Sequence, residues 1–156
     1  MSRFFISDVR VDTIDLLEEW YKDAWARSSE FAPRGYKLYD RGVVEGNHQT
    51  LRQFFPAAYF IHSFGTDQSL QSIGIVKRLL MSPLNRISFV ALDEICALLT
   101  YAITKQPALA KNLRLQAKAA NARQFQASLY EAFIARQCSG LGLDYACDVK
   151  VAGKRR

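Results

Sequence analysis

Residues 107–137, PALAKNLRLQAKAANARQFQASLYEAFIARQ, carry the longest helical pattern in the chain. Pro107 suits the first turn of a helix, because the N–H group that proline lacks would have no partner there. The apolar stripe changes phase half-way along. The first stripe comprises Leu109, Leu113, Ala117 and Ala120, and the second, about half a turn away, comprises Phe125, Leu129, Ala132 and Phe133. The change near 121–123 predicts either a helix break or one helix with two different packing neighbours.

Further helical patterns lie on the N-terminal side of this stretch. The apolar spacing predicts a helix over 13–27 behind an Asp12 cap, and a second helix that begins at Asn47 and is interrupted at Pro56. A third is expected from Thr66 or Asp67 to about Met81. A fourth, over 91–104, is apolar nearly all round, which indicates burial. Residues 86–91 are predicted to form either a brief strand or an extended segment that leads into this fourth helix.

Two segments show the alternation of apolar and polar residues that is typical of β-strands. Residues 4–11 alternate partially, and residues 143–151, LDYACDVKV, alternate cleanly. The two segments are candidates to pair. The predicted fold class is therefore α+β, predominantly α-helical, with about five or six helices and a small sheet that includes a C-terminal strand. We expect a single domain over 1–156, with a helical core in 1–104 and a basic long helix plus a terminal strand in 105–156.

Composition excludes several classes of protein. Hydrophobic residues make up 49% and charged residues 23% of the 156 residues, which excludes intrinsic disorder, collagen and a small disulfide scaffold. No apolar run approaches the roughly 18 residues of a membrane span, and the N-terminus lacks the apolar core of a secretory signal. The three cysteines form no C-x-x-C motif. We therefore expect a cytoplasmic protein that does not associate with membranes.

The charge of the chain is unevenly distributed. Its net charge is +6, yet residues 1–50 carry a net charge of −2 and residues 51–100 a net charge of +1. Residues 101–156 hold ten Lys/Arg and three Asp/Glu, a net charge of +7. This asymmetry indicates that the last third of the chain contacts a polyanion or an acidic protein surface. A solvated basic helix that only keeps the protein soluble is the plainer alternative.

Basic residues of this last third are candidates for a nucleic-acid interface. Lys111, Arg114 and Lys118 fall within about 60° of arc on one helical face. Lysine and arginine supply most of the affinity for phosphates, and nearby Asn and Gln side chains suit contacts to phosphate and sugar. The predicted nucleic-acid-binding residues are Lys111, Arg114, Lys118, Arg123, Lys154, Arg155 and Arg156.

No established catalytic motif is present in the sequence. The chain lacks G-x-x-x-x-G-K-[ST], G-x-G-x-x-G, H-E-x-x-H and G-x-S-x-G. The two histidines, His48 and His62, lie far from Cys138 and Cys147 along the chain. We therefore predict no catalytic residue, no metal ligand and no cofactor.

Residues 125–156 resemble the first part of the core of a PD-(D/E)XK nuclease. A helix that carries Glu131, the glycine turn at 139–142, and a strand with Asp148-x-Lys150 follow one another as in that family. The resemblance implies that the acidic residues hold Mg²⁺ and that the lysine activates water. Glu131 matches the helix glutamate of the family. The chain contains no Pro-Asp dipeptide, so the second acid of the family motif is absent.

Three functions remain open at this point. The leading prediction is a non-enzymatic nucleic-acid-associated domain that binds a polyanion through its basic C-terminal third. The first alternative is an incomplete or auxiliary part of a metal-dependent nuclease, which would require Mg²⁺. The second is a protein-interaction module, an adaptor or inhibitor, whose basic face meets an acidic partner. The exposed edge of the terminal strand also allows a homodimer.

Overall fold

The computed structural model describes residues 10–34, 39–63, 74–80, 86–119 and 121–145, and almost all of them are helical. The chain divides into two compact units, Met1–Cys96 and Ala97–Arg156. The boundary falls inside one helix, Arg86–Lys105, so the helix rather than a linker carries the chain from one unit to the next.

The first unit contains two short strands and several helices. In chain order they are β1 (Arg10–Asp12), α1 (Thr13–Ala26), α2 (Ser28–Phe31), a 3₁₀ turn (Ala32–Arg34), α3 (Arg41–Phe54), α4 (Ala57–Phe60), β2 (Ile61–Ser63), α5 (Ile75–Leu80) and the first part of α6 (Arg86–Lys105). The second unit contains the rest of α6, α7 (Pro107–Lys118) and α8 (Ala122–Gly140).

Helix α1 begins where the sequence predicts it. The Asp12 carboxylate accepts hydrogen bonds from the backbone N–H groups of Ile14 and Asp15, at 2.9 and 3.1 Å. These bonds satisfy two of the N–H groups that have no partner within the first turn of a helix. Ile14, Leu17, Tyr21 and Ala24 form its buried stripe. The next residue, Thr13, holds β1 against β2, because its hydroxyl donates to the carbonyl of Phe60, which directly precedes β2, at 2.7 Å.

Helix α3 begins earlier than predicted. Asp40, not Asn47, is its N-cap, and its carboxylate accepts from the Val43 N–H at 3.2 Å. The predicted cap at Asn47 is therefore wrong. Two glycines in the first turns, Gly42 and Gly46, weaken the helical pattern there, whereas burial of Val44 and His48 extends the helix towards its N-terminus. Pro56 interrupts the segment as expected, since α3 ends at Phe54.

Helix α6 replaces the brief strand predicted at 86–91. It runs unbroken from Arg86, and its buried residues follow helical spacing: Leu92, Ile95, Cys96, Leu98, Leu99 and Ala102. By length and composition alone this helix is apolar enough to cross a membrane, with a mean hydropathy of 1.6. Asp93 lies near its middle, however, and accepts a hydrogen bond from the Asn47 side chain at 3.0 Å. The core helix of a water-soluble unit has the same composition.

Of the two alternatives for residues 107–137, the helix break is the one observed: the basic long helix of the predicted domain organisation consists of two helices. Helix α7 ends at Lys118, and Asn121 caps α8 by accepting from the Gln124 N–H at 3.2 Å. The break coincides with the phase change of the apolar stripe, and α7 and α8 pack against each other. The break therefore lets both apolar stripes be buried without one helix serving two neighbours.

The α+β fold class with a C-terminal strand is wrong. The sole regular strand pairing among the described residues is antiparallel and three residues long, with Arg10 opposite Ser63 and Asp12 opposite Ile61. Strand β1 thus pairs with β2 rather than with a C-terminal strand. The described part of the chain is a mainly helical protein in which no sheet forms a layer. Residues 4–9 and 146–151 of the two predicted strands lie outside the described residues.

A helix-ending turn explains why the alternating segment does not begin as a strand at Leu143. The N–H groups of Gly142 and Leu143 donate back to the carbonyls of Ser139 and Cys138, at 3.1 and 2.9 Å. Gly142 has φ +72°, a conformation that favours glycine. Because the Leu143 N–H already has a partner within the turn, it does not join a strand ladder. Leu143 is 57% exposed.

Candidate nucleic-acid interface

Three predicted basic residues share one face of α7. Lys111 and Lys118 are exposed and Arg114 is half-buried. They lie opposite the buried stripe of the same helix, which consists of Leu109, Ala110, Leu113 and Ala117. Residues three and four apart on a helix are neighbours, with about 5–6 Å between their Cβ atoms. We call Lys111, Arg114 and Lys118 the basic face.

Cations in the two units differ in their ion pairing. All ion pairs between described residues lie in the first unit, where Arg27, Arg41 and Arg52 each contact at least one carboxylate. Within the described ranges, no carboxylate lies within ion-pair distance of Lys111, Lys118 or Arg123 of the second unit. The charge of Arg27, Arg41 and Arg52 is thus neutralised within the first unit, whereas that of Lys111, Lys118 and Arg123 is open to an external anion.

The amides predicted to accompany the basic residues do not all reach the basic face. Gln116 donates to the Asn112 side chain at 3.1 Å, and both residues lie on the flank of α7 next to its buried stripe. The Gln116 Oε1 atom is buried and has no hydrogen-bond partner among the described residues. Asn121 is used as the cap of α8. Gln124 and Gln126 remain as exposed amides at the start of α8.

The structure describes only some of the residues on which the nuclease resemblance depends. Glu131 is half-buried on α8, and no group of three His, Cys, Asp or Glu side chains that could hold a metal occurs in the part of the chain that the structure describes. Asp148 and Lys150 lie outside the described residues. The predicted interface residues Lys154, Arg155 and Arg156 lie outside them as well.

A pair of exposed aromatic rings on α8 was missed by the sequence analysis. Phe133 was assigned to the apolar stripe, but it is 38% exposed, and Tyr130 is 66% exposed. Their ring centroids are 6.2 Å apart with an interplanar angle of 25°. Ser128 and Ala135 are buried in place of Phe133. At 100° per residue from Phe125, Phe133 lies at the margin of the apolar stripe. The helical spacing could therefore have indicated that Phe133 is partly exposed.

A polar cluster between α1 and α3 was also missed. His48 is 3% exposed, and its Nδ1 atom lies 3.1 Å from the Glu18 carboxylate. Burial lowers the pKa of His48, and this outweighs the hydrogen bond from Glu18 that raises it. One turn further along α3, Arg52 donates to Asp12 and Asp15, at 3.2 and 2.6 Å. Acids three apart at the start of α1, opposite His48 and Arg52 four apart on α3, are the spacing that could have indicated it.

Arg52 also affects the acidity of the α1 cap. Burial raises the pKa of Asp12, but the hydrogen bonds from Arg52 and from the backbone N–H groups of Asp15 and Ile14 more than offset this. The pKa of Asp12 is therefore lowered overall. The cluster is fully explained by contacts within the first unit, so it serves to join α1 to α3.

A groove between α1 and α3 has the opposite charge from the basic face. Its volume is about 350 Å³, and its lining residues are Asp15, Glu18, Glu19, Lys22, Trp25, Arg41 and Glu45. One of its two cations, Arg41, is already bonded to Glu45 at 2.7 Å. Beside this pair the groove holds three acids and one lysine, which repel a polyanion, so this groove is not part of the proposed nucleic-acid interface.

Two described cysteines are free thiols. Cys96 is buried, and its Sγ donates to the Asn47 carbonyl at 3.6 Å. Burial raises the pKa of the Cys96 thiol to about 12, which makes it a poor nucleophile. Cys96 is thus a small core residue of α6. Cys138 is half-buried on α8.

Comparison of the chain with protein-family models, with curated proteins and with solved structures finds no match. Function is therefore argued from the residues themselves.

Proposed function

We propose that this chain is a non-enzymatic nucleic-acid-associated domain that binds its polyanion through the basic face of α7, assisted by Arg123. The observation that carries the proposal is the set of cations without a carboxylate partner on the second unit. Lys111, Lys118 and Arg123 contact no carboxylate among the described residues, whereas Arg27, Arg41 and Arg52 of the first unit each do. The two free thiols support a place in the reducing cytoplasm.

The arrangement of the basic face suits phosphates rather than base edges. Lysine and arginine side chains one turn apart follow a line along the helix, as consecutive phosphates follow a line along a strand. Each phosphate that they neutralise releases condensed counterions, and this release drives binding. Such contacts position the protein on its ligand and carry little information about base sequence.

A protein-interaction module is the second candidate, and one observation favours it. Leu115 is 58% exposed and lies on α7 between Lys111 and Lys118. An apolar side chain within a cationic surface suits an acidic protein partner, which offers apolar contacts beside its carboxylates. A phosphate backbone offers fewer apolar contacts to such a side chain.

A salt titration distinguishes the candidates. Affinity for duplex DNA and RNA is measured at several salt concentrations, for the wild type and for Lys111→Gln/Arg114→Gln/Lys118→Gln. The triple variant should bind more weakly, with a slope of log affinity against log salt that is flatter by up to roughly 0.9 per lost phosphate contact.

A matched control removes the same charge elsewhere. Lys22→Gln/Arg78→Gln/Arg86→Gln takes three exposed cations from the first unit, none of which pairs with a carboxylate in the described ranges. We expect this control to retain the slope of the wild type. An equal loss in both variants would mean that net charge, not the basic face, governs binding. No binding in low salt would exclude the proposed function.

A further inference from the structure

We propose that Tyr130 and Phe133 of α8 form a stacking platform for the bases of a single-stranded nucleic acid. The inference rests on the proposed function and names its ligand class. It assigns the phosphates to the basic face and the bases to the two aromatic rings.

The geometry of the two rings suits an external flat partner. The rings lie 25° from parallel with their centroids 6.2 Å apart, and both are exposed. Tyr130 lies well away from the side that α8 buries through Phe125, Leu129 and Ala132, and Phe133 lies at the margin of that side. The exposed parts of two large aromatic side chains leave apolar surface in water unless something covers them.

The residues around the rings match a nucleic acid. Arg123, Gln126 and Gln137 are exposed and lie within about 60° of the ring pair around the helix axis. Arg123 contacts no carboxylate in the described part of the chain. Glu131, the acid of α8, lies about 100° away from Tyr130 around the helix. A cation and two amides beside two aromatic rings are the elements of a single-strand binding surface.

Single strands fit this face better than duplexes or a second copy of the chain. The flat faces of bases are hidden within a duplex and accessible in a single strand. A second copy would bring two cationic units together, and like charges repel. Two rings also provide far less area than the about 800 Å² that each partner contributes to a stable protein interface.

The experiment compares two polyanions of equal charge. Binding of the full-length chain is measured to an oligothymidylate and to an abasic oligonucleotide of the same length, which keeps the phosphates and lacks the bases. The wild type should prefer the oligothymidylate by about tenfold or more, since base stacking on an aromatic ring contributes on this scale. Tyr130→Leu/Phe133→Leu should bind both ligands equally, with the salt dependence of the wild type.

The controls separate stacking from folding and from assembly. Tyr130→Phe keeps the ring and should keep the preference for bases, and circular dichroism checks that the leucine variant is folded. Equal binding of both ligands by the wild type would overturn the platform and leave the proposed function standing. Binding of neither ligand would overturn both. A wild-type dimer that the leucine variant dissociates, measured by sedimentation, would assign the face to a second copy and overturn the platform.

Discussion

The Nδ1 atom of His48 lies 3.1 Å from the Oε1 atom of Glu18 and links α3 to α1 through a buried imidazole. The neutral ring donates its Nδ1–H to the carboxylate, which stays exposed enough to remain hydrated. The two residues are thirty positions apart, so the contact exists only in the folded chain. It gives the first unit a group whose protonation is coupled to folding.

We expect the free energy of unfolding to fall as the pH is lowered through the titration of His48. Burial lowers the pKa of His48 from its ordinary value of 6.5, so the unfolded state takes up the proton more readily than the folded state. Stability is therefore fully present above the unfolded pKa and is lost as the pH falls below it towards the folded pKa. Urea unfolding between about pH 8 and pH 5 measures this dependence.

His48→Gln is the control for the titration. It keeps a polar side chain next to Glu18 and removes the titrating group, so the dependence on pH in this range should become shallower than in the wild type. The rest of the chain is the same in both proteins, so the difference between them reports the removal of His48. If the wild type instead becomes more stable on acidification relative to His48→Gln, the charged pair with Glu18 outweighs desolvation and the prediction is wrong.

Two leucines on α7 should respond very differently to truncation. Leu113 is fully buried, and Leu113→Ala should lower the free energy of unfolding by about 2–5 kcal/mol because it leaves a cavity. Leu115 lies two residues further on and is exposed. Leu115→Ala should therefore change stability by less than about 0.5 kcal/mol. Denaturant unfolding of both variants is the measurement, and equal losses would contradict the observed orientation of α7.

The break between α7 and α8 depends on a cap that can be tested directly. Asn121→Ala removes the acceptor for the Gln124 N–H and should cost about 1 kcal/mol of unfolding free energy. Asn121→Ser and Asn121→Asp keep an oxygen acceptor and should cost little. If alanine stabilises the protein instead, the two helices merge into one, and the break is not the preferred state.

Local rules account for the helix ends that the sequence predicted. Asp12 caps α1 and Pro107 begins α7, because each rule depends on one residue and its own backbone. The cap of α8 at Asn121 was not predicted, since the change of the apolar stripe near 121–123 left a break and a continuous helix both open. The start of α3 was missed since Gly42 and Gly46 argue against a helix locally and tertiary burial overrides them.

Longer-range features were not predictable from the pattern. The alternation from Leu143 onward predicts a strand, yet the turn at Gly142 uses the backbone groups with which a ladder would begin. Part of the candidate site could be predicted. The basic face follows from helical spacing alone, whereas the availability of its charge depends on which carboxylates lie nearby in space. The exposure of Tyr130 depends likewise on which side of α8 is packed.

The purified chain should not cleave nucleic acid in Mg²⁺ or Mn²⁺. A metal-dependent nuclease of the family that residues 125–156 resemble uses several acids around its cation, and this chain contains no Pro-Asp dipeptide to supply one of them. Plasmid and single-stranded DNA are incubated with the wild type and with Glu131→Ala, and products are separated on gels. Both proteins should leave the substrates intact at concentrations that saturate binding. Cleavage by the wild type that co-purifies with the protein and disappears in Glu131→Ala would show that a metal site forms without that acid. Glu131 would then be a metal ligand, and the chain would be an enzyme rather than a binding domain.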